Sequence, residues 1–157
     1  MDMTMTPLMT AYIVDDSPVM QARLIELCND AGFAVVGTAA TPAAAVAGIA
    51  QFRPRIVLLD LRLREGNGLD VLHAIKNSPT RPVVAVLTSH PQSKYREASL
   101  ALGADHFIHK STEFERVGAV LNQLRGTHGS EPDDPQHAAL LPPPTSAFNP
   151  RKAAPLS

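Results

Sequence analysis

The sequence predicts an α/β fold: a doubly wound parallel sheet of five strands flanked by five helices. Three observations lead there. Short β-rich runs alternate with longer stretches of helical period, and the alternation repeats five times. The clearest runs are almost continuously apolar, as strands covered on both faces must be.

The first strand is expected around Ala11 to Val14. Ser17-Pro18 then supplies an N-cap and a first-turn proline, followed by Met20, Leu24, Leu27 and Ala31 at helical spacing, with Gly32 ending the helix. Phe33 to Thr38 reads as the second strand. Pro42 to Gln51 reads as the second helix, capped by Thr41. The third strand is the apolar run Arg55-Ile56-Val57-Leu58-Leu59, followed by a loop from Arg62 to Gly68 and a helix through Leu69, Leu72 and Ile75. Pro82 to Leu87 forms the fourth strand, and Pro91 opens a helix that Gly103 closes near Leu102. His106-Phe107-Ile108 is the short fifth strand, and the last helix spans about Thr112 to Arg125.

Beyond Gly126 the pattern stops, and seven of the 14 prolines follow it, including Pro142-Pro143-Pro144. A stretch so poor in patterned apolar residues cannot offset the entropy of ordering it, so disorder is expected for 126–157. The domain plan is therefore an N-terminal extension, 1–9, a folded domain, 10–125, and the proline-rich tail. Leu140-Leu141 and Phe148 are a candidate docking motif in that tail, against the plainer reading of a solvated segment.

With 14 basic and 15 acidic residues and a formal charge of −1, no general field draws the chain to nucleic acid or an anionic membrane. Arg151-Lys152 adds too little charge to change that. A single cysteine, Cys28, excludes an internal disulfide and fits a reducing compartment; it reads best as a small apolar residue of the first helix. The start MDMTMTPLMT has no secretory pattern, and no run approaches the roughly 20 apolar residues that span a bilayer, so a cytoplasmic location is expected.

In an open parallel sheet, ligands bind outside the carboxyl ends of the strands, near the point where strand order reverses. The first strand ends in Asp15-Asp16, the third in Asp60, the fourth in Thr88-Ser89, and Lys110 follows the fifth. Each alone is an ordinary cap or surface residue. Together they are harder to explain, because two carboxylates about 4 Å apart repel by on the order of 4 kcal/mol at an effective dielectric near 20. A hard divalent cation removes that conflict, and Mg²⁺ suits a site with few protein oxygens and room for a phosphate. Lys110 adds positive charge and Thr88 a hydroxyl donor, a phosphoryl-transfer arrangement with Asp60 as candidate nucleophile.

The motifs YIVDDSP, IVLLDLRLREGNG, VVAVLTS and LGADHFIHKS resemble those of the response-regulator receiver family, over about Thr10 to Arg125. The resemblance implies the CheY-like, flavodoxin-like strand order 2-1-3-4-5. It implies Mg²⁺ held by Asp16, Asp60 and the Arg62 backbone carbonyl, with Asp15 acting through a metal-bound water. Asp60 then receives a phosphoryl group from a histidine of a kinase or phosphotransfer protein, Lys110 pairs with a phosphoryl oxygen, and Thr88 moves toward it. The acyl phosphate is lost to water, so the domain shares in making and ending its own signal.

Five positions tune or depart from that pattern. Phe107 stands where many receivers carry tyrosine, so a hydroxyl-dependent switch is excluded and an aromatic packing switch is left. Ser111 follows Lys110 where proline is frequent, which speaks against a cis peptide, since a non-proline cis bond costs about 2.5–4 kcal/mol. Arg64 also replaces a frequent proline. Arg62 and His90, two residues beyond Asp60 and Thr88, are candidates for controlling water at the phosphoryl group.

The expected function is a receiver without an attached output domain, signalling by protein contact or onward relay. Its downstream target is expected on the edge made by the fourth helix, fifth strand and fifth helix, where Lys94, Tyr95, Arg96 and Ser99 are candidate contacts. The competing readings are a phosphorylation-independent adaptor and, more weakly, an Mg²⁺-dependent phosphatase; LLDLRL lacks the second acid such enzymes carry two residues after the nucleophile.

Overall fold

The structure is a computed structural model and describes residues 9–79, 81–89 and 92–129. His90, Pro91 and the tail residues Leu140, Leu141, Phe148, Arg151 and Lys152 lie outside the described residues, as does most of the N-terminal extension.

Five parallel strands form one sheet: β1 Thr10–Val14, β2 Ala34–Ala39, β3 Ile56–Asp60, β4 Val83–Thr88 and β5 His106–His109. Their spatial order is β2-β1-β3-β4-β5. The chain moves outward from β1 to β2 and returns to the other side of β1 for β3, so strand order reverses there. Helices α1 Pro18–Asp30, α2 Pro42–Phe52, α3 Gly68–Lys76, α4 Ser93–Ala101 and α5 Glu115–Gly129 alternate with the strands. The first compact unit ends at Asn122, within α5; the remaining turns of that helix, from Gln123, fall in the second.

Period-two alternation divides the strand residues between two faces. Tyr12, Val14, Val57, Leu59, Val84, Val86 and Phe107 share a core with Ala45 and Ile49 of α2 and Val71, Leu72 and Ile75 of α3. The intervening residues, Ala11, Ile13, Ile56, Leu58, Ala85, Leu87 and Ile108, are equally buried. Because both faces are covered, almost no polar residue fits within a strand, and polar groups are confined to strand ends.

The helix boundaries follow local chemistry. The Ser17 hydroxyl accepts the Met20 N–H at 3.2 Å, and Thr41 caps α2 in the same way through Ala44 at 3.3 Å. Gly32, at φ 86°, ends α1 with Phe33 N–H on the Cys28 carbonyl, a left-handed cap that glycine adopts without steric cost. Three expectations are corrected. The loop from Arg62 contains an antiparallel ribbon, Arg62–Leu63 against Gly66–Asn67. α5 starts at Glu115, because Thr112 to Phe114 are used in a turn closed by Glu113 N–H on the His109 carbonyl. It also runs past Arg125 and Gly126 to Gly129, since one glycine inside a helix costs only about 1 kcal/mol relative to alanine.

Candidate functional site

The register aligns the carboxyl ends of four strands. Val14 pairs with Leu59, Asp60 with Leu87, and Thr88 with His109, so the residues ending β1, β3, β4 and β5 stand in a row along one edge of the sheet.

Asp15 continues β1: its N–H donates to the Ala39 carbonyl at 2.9 Å. Its carboxylate folds back to accept the Ser17 N–H at 2.9 Å, and its carbonyl accepts the Gln21 carboxamide at 2.6 Å. The side chain is left 1 % exposed, so the carboxylate is held inside the protein rather than in water. Asp16, next in the turn, is half-buried. Asp60, also buried, accepts the Arg62 N–H on Oδ1 at 3.2 Å. One carboxylate oxygen from each of Asp15, Asp16 and Asp60 lies within 4.8 Å of the others.

Lys110 joins two of the three. Its ammonium lies 2.7 Å from Asp15 Oδ2 and 2.9 Å from Asp60 Oδ2. Burial alone lowers the pKa of this lysine, but the two carboxylates outweigh burial and the net shift is upward, so the group stays charged. Burial pushes the Asp60 carboxyl up, more than Lys110 and the Arg62 N–H pull it down. One ammonium offsets one of three carboxylates. The remaining negative charge, on all-oxygen donors, fits a hard divalent cation.

Thr88 is fully buried at the end of β4, and its carbonyl accepts the Lys110 N–H at 2.9 Å. It also lines a cleft of about 480 Å³ with Arg62, Asn67, Leu69 and Tyr95. Ser89 is exposed just beyond it. Arg62 has an exposed side chain, and its backbone is paired with Asn67 in the ribbon. Phe107 is buried in the core on β5, with the Arg96 guanidinium 5.6 Å from its ring centroid and its carbonyl accepting from Arg116 at 3.3 Å. The edge thus brings together Asp15, Asp16, Asp60 and Lys110, with Thr88 beside them, whereas Phe107 sits deeper in the core.

One candidate contact is corrected. Ser99 is completely buried in α4 and its hydroxyl has no hydrogen-bond partner, so it faces the sheet rather than a partner protein. Lys94 and Arg96 are exposed; Tyr95 is half-buried against the core.

Sequence reasoning missed several supporting residues. Gln21 bonds to a carbonyl six positions earlier, a spacing with no periodic signal. Asn67 caps α3 by accepting the Leu69 and Asp70 N–H groups at 2.8 and 3.3 Å. Gly68 lets α3 start directly against the end of β3; a Cβ there collides with the Asp60 carbonyl. The Gly-Asn-Gly triplet before an apolar helical pattern was the available clue to both. Arg64 explains its own departure from proline: its N–H donates to the Ala40 carbonyl at 3.1 Å, a bond proline cannot make.

Residues 11–122 match the family model described as response regulator receiver domain. The chemotaxis protein CheY of Thermotoga maritima is 33% identical over 113 residues, covering 71% of this chain and 93% of its own length. The transcriptional regulatory protein KdpE of Mycobacterium tuberculosis is 32% identical over 126 residues, 78% of this chain and 54% of its own length. The chain spans about half the length of several curated relatives it matches. Among solved structures, the CheX-CheY-BeF3-Mg+2 complex from Borrelia burgdorferi superposes with a TM-score of 0.66 at 24% identity, over 77% of this chain and 89% of that one.

Proposed function

Because the chain belongs to the response regulator receiver family, we propose that it accepts a phosphoryl group on Asp60 from a histidine of a kinase or phosphotransfer protein, in the cytoplasm, and signals through contact with a downstream protein or relays the group onward. The observation that carries this reading is the Asp60 carboxylate itself. It is buried at the end of the central strand, bonded to the Lys110 ammonium at 2.9 Å, and within 4.8 Å of two further carboxylates.

In the transfer, an Asp60 carboxylate oxygen forms a bond to phosphorus while the bond from phosphorus to the donor imidazole nitrogen breaks. The nitrogen keeps the electron pair and takes a proton, leaving a neutral histidine. Asp16, Asp60 and the Arg62 carbonyl are the residues to hold Mg²⁺, with Asp15 reaching it through water; when bound, the ion supplies charge neutralisation for the incoming phosphoryl oxygens. Lys110, already at the Asp60 carboxylate, is placed to pair with one of those oxygens, and Thr88 is the hydroxyl donor on the neighbouring strand. Hydrolysis reverses the gain: water attacks phosphorus, the bond to the Asp60 oxygen breaks, and inorganic phosphate leaves. Arg62 and His90 are the residues we assign to control of that water.

The readout runs from Thr88 to Phe107 and the edge of α4, β5 and the start of α5. Phe107 lacks the hydroxyl of a tyrosine switch. Its ring, 5.6 Å from the Arg96 guanidinium, supports a switch by aromatic packing, and Phe107 and Ser111 together are what favour the phosphorylation-independent adaptor as the second reading.

The test is incubation with Mg²⁺ and acetyl phosphate, or with the fluoride-beryllium phosphoryl mimic, followed by intact mass and amide spectra beside Asp60→Asn. The expected result is one added phosphoryl group, dependent on Mg²⁺ and absent from the variant, with amide shifts at Thr88 and Phe107. Addition without those shifts points to a phosphate relay. Neither addition nor Mg²⁺ binding puts the adaptor reading first.

A further inference from the structure

The turn that presents Lys110 is built without the proline that frequently follows this lysine in the family, and all described peptide bonds are trans. Side chains close it instead. Glu113 and His109 are tied in both directions: the Glu113 N–H donates to the His109 carbonyl at 2.9 Å, and the His109 N–H donates to Glu113 Oε1 at 3.0 Å. Between them, the Ser111 N–H donates to His109 Nδ1 at 3.1 Å, again using a donor that proline lacks. The Arg116 guanidinium then donates to the same Glu113 oxygen at 3.2 Å and to the Phe107 carbonyl at 3.3 Å. On the far side of the turn, the Lys110 N–H is fixed to the Thr88 carbonyl.

Lysine is a point charge on a flexible four-carbon stem, so where its ammonium rests depends on where its backbone is held. Here the ammonium meets two buried carboxylates at once, at 2.7 and 2.9 Å, and a backbone shift larger than the stem can absorb forfeits one of them. Among the described bonds, only the Glu113 carboxylate both closes the turn from His109 to Glu113 and reaches, through Arg116, the strand residue Phe107.

We propose that Glu113 is a positioning residue for Lys110, its carboxylate setting the turn that delivers the ammonium onto Asp15 and Asp60, with Arg116 tying that turn to Phe107. Glu113 bonds to His109 and Arg116 rather than to the carboxylate cluster, so it acts through Lys110 rather than as a catalytic group. The His109 N–H and the Arg116 guanidinium hold its carboxyl below the usual range, which keeps the clamp ionised at neutral pH. The consequence for phosphoryl transfer rests on the reading of Asp60 given above; the placement of Lys110 does not.

The full chain is compared with Glu113→Ala, Glu113→Gln and Glu113→Asp by two readouts. The first is the NMR signal of the Lys110 ε-methylene and ammonium in metal-free protein, which needs no phosphoryl transfer. The second is the acetyl phosphate reaction, resolved into maximum rate and half-saturation. In Glu113→Ala the Lys110 signals are expected to move toward those of an exposed lysine. Its maximum rate is expected to fall about tenfold, the scale of a sub-ångström misplacement, with half-saturation and Mg²⁺ affinity little changed. Glu113→Gln keeps an oxygen acceptor for the His109 N–H and is expected to stay near the parent in both. Glu113→Asp keeps the charge but loses the reach, and is expected to follow alanine in direction; it carries the test if the alanine variant does not fold. Unchanged Lys110 signals in the alanine or aspartate variant overturn the proposal, as does a glutamine variant that loses as much as alanine. A parent chain that gains no phosphoryl group rejects the reading of Asp60 while the Lys110 signals still decide the role of Glu113.

Discussion

Replacing Asp16 with asparagine is expected to stabilise the metal-free protein while removing its response to Mg²⁺. Its carboxylate faces those of Asp15 and Asp60 with ligand atoms within 4.8 Å, and the Lys110 ammonium engages the other two rather than Asp16. At that separation a like-charge pair costs about 3.5 kcal/mol at an effective dielectric of 20, and about 0.9 kcal/mol at the dielectric of water. Asp16 is half-buried, so its two repulsions fall between these limits, and the longer-range pull of Lys110 offsets part of them. A net gain of about 1–2 kcal/mol follows for Asp16→Asn. Urea unfolding in EDTA reads this directly: with a slope of about 2 kcal/mol per molar, the midpoint rises by about 0.5–1 M. In Mg²⁺ the order is expected to invert: a parent that binds the ion as proposed gains about 2.7 kcal/mol at a hundredfold excess over its Kd, and a variant without the Asp16 carboxylate gains little. A variant that is less stable than the parent in EDTA, or that gains as much from Mg²⁺, refutes the account of the site as charge strain relieved by a cation.

Gly68→Ala pushes a methyl group onto the backbone of Asp60 and Leu61, which cannot swing aside as a side chain would, so a loss of about 1–3 kcal/mol is expected in urea unfolding, although alanine is the better helix former; a stabilised variant shows that α3 can shift away. Asp105→Ala removes the acceptor of the buried Val84 N–H and the partner of Lys76, both at 2.9 Å, and is expected to cost about 1–3 kcal/mol, with Asp105→Asn losing less; equal losses assign the effect to the ion pair alone. Burial lowers the pKa of His106 below 6.5 against the pull of Asp105, so the unfolded chain binds more protons between the folded value and 6.5. Stability therefore rises with pH through that window and is lost as pH falls below 6.5, and His106→Gln is expected to flatten that slope in urea midpoints measured across it.

The first, third and fourth strands were the most legible because both faces of the sheet are covered there, which turns each into an apolar run ended by the first polar residue. That same rule exposed the site, since Asp15, Asp60 and Thr88 are those first polar residues. The ribbon from Arg62 to Asn67 was not legible: two residues per strand are too few to show a period. Ser99 was misplaced for a related reason, as a serine on a polar helix reads as surface until the sheet beneath it is known. Arg64 and Ser111 were legible as departures from proline but not in their use: the Arg64 N–H bonds to Ala40 across a fold of the chain, and the Ser111 N–H bonds to the His109 ring two residues back, in a turn whose geometry residue spacing does not encode.

The N-cap position of α4, Gln92, makes no side-chain hydrogen bond to the helix, and the only fully buried residue of the helix is Ser99, whose hydroxyl goes unpaired. By contrast, α3 buries Gly68, Val71, Leu72 and Ile75 and starts on a capping asparagine. Of the two helices flanking the cleft at Thr88, α4 therefore surrenders less when it shifts: little apolar area returns to water and no cap is broken. The molecule thus concentrates its softness beside Thr88 and keeps its rigidity behind the residues that carry the carboxylates. Sequence drift in α4 therefore costs little stability, whereas drift in α3 disturbs the fold that carries Asp60.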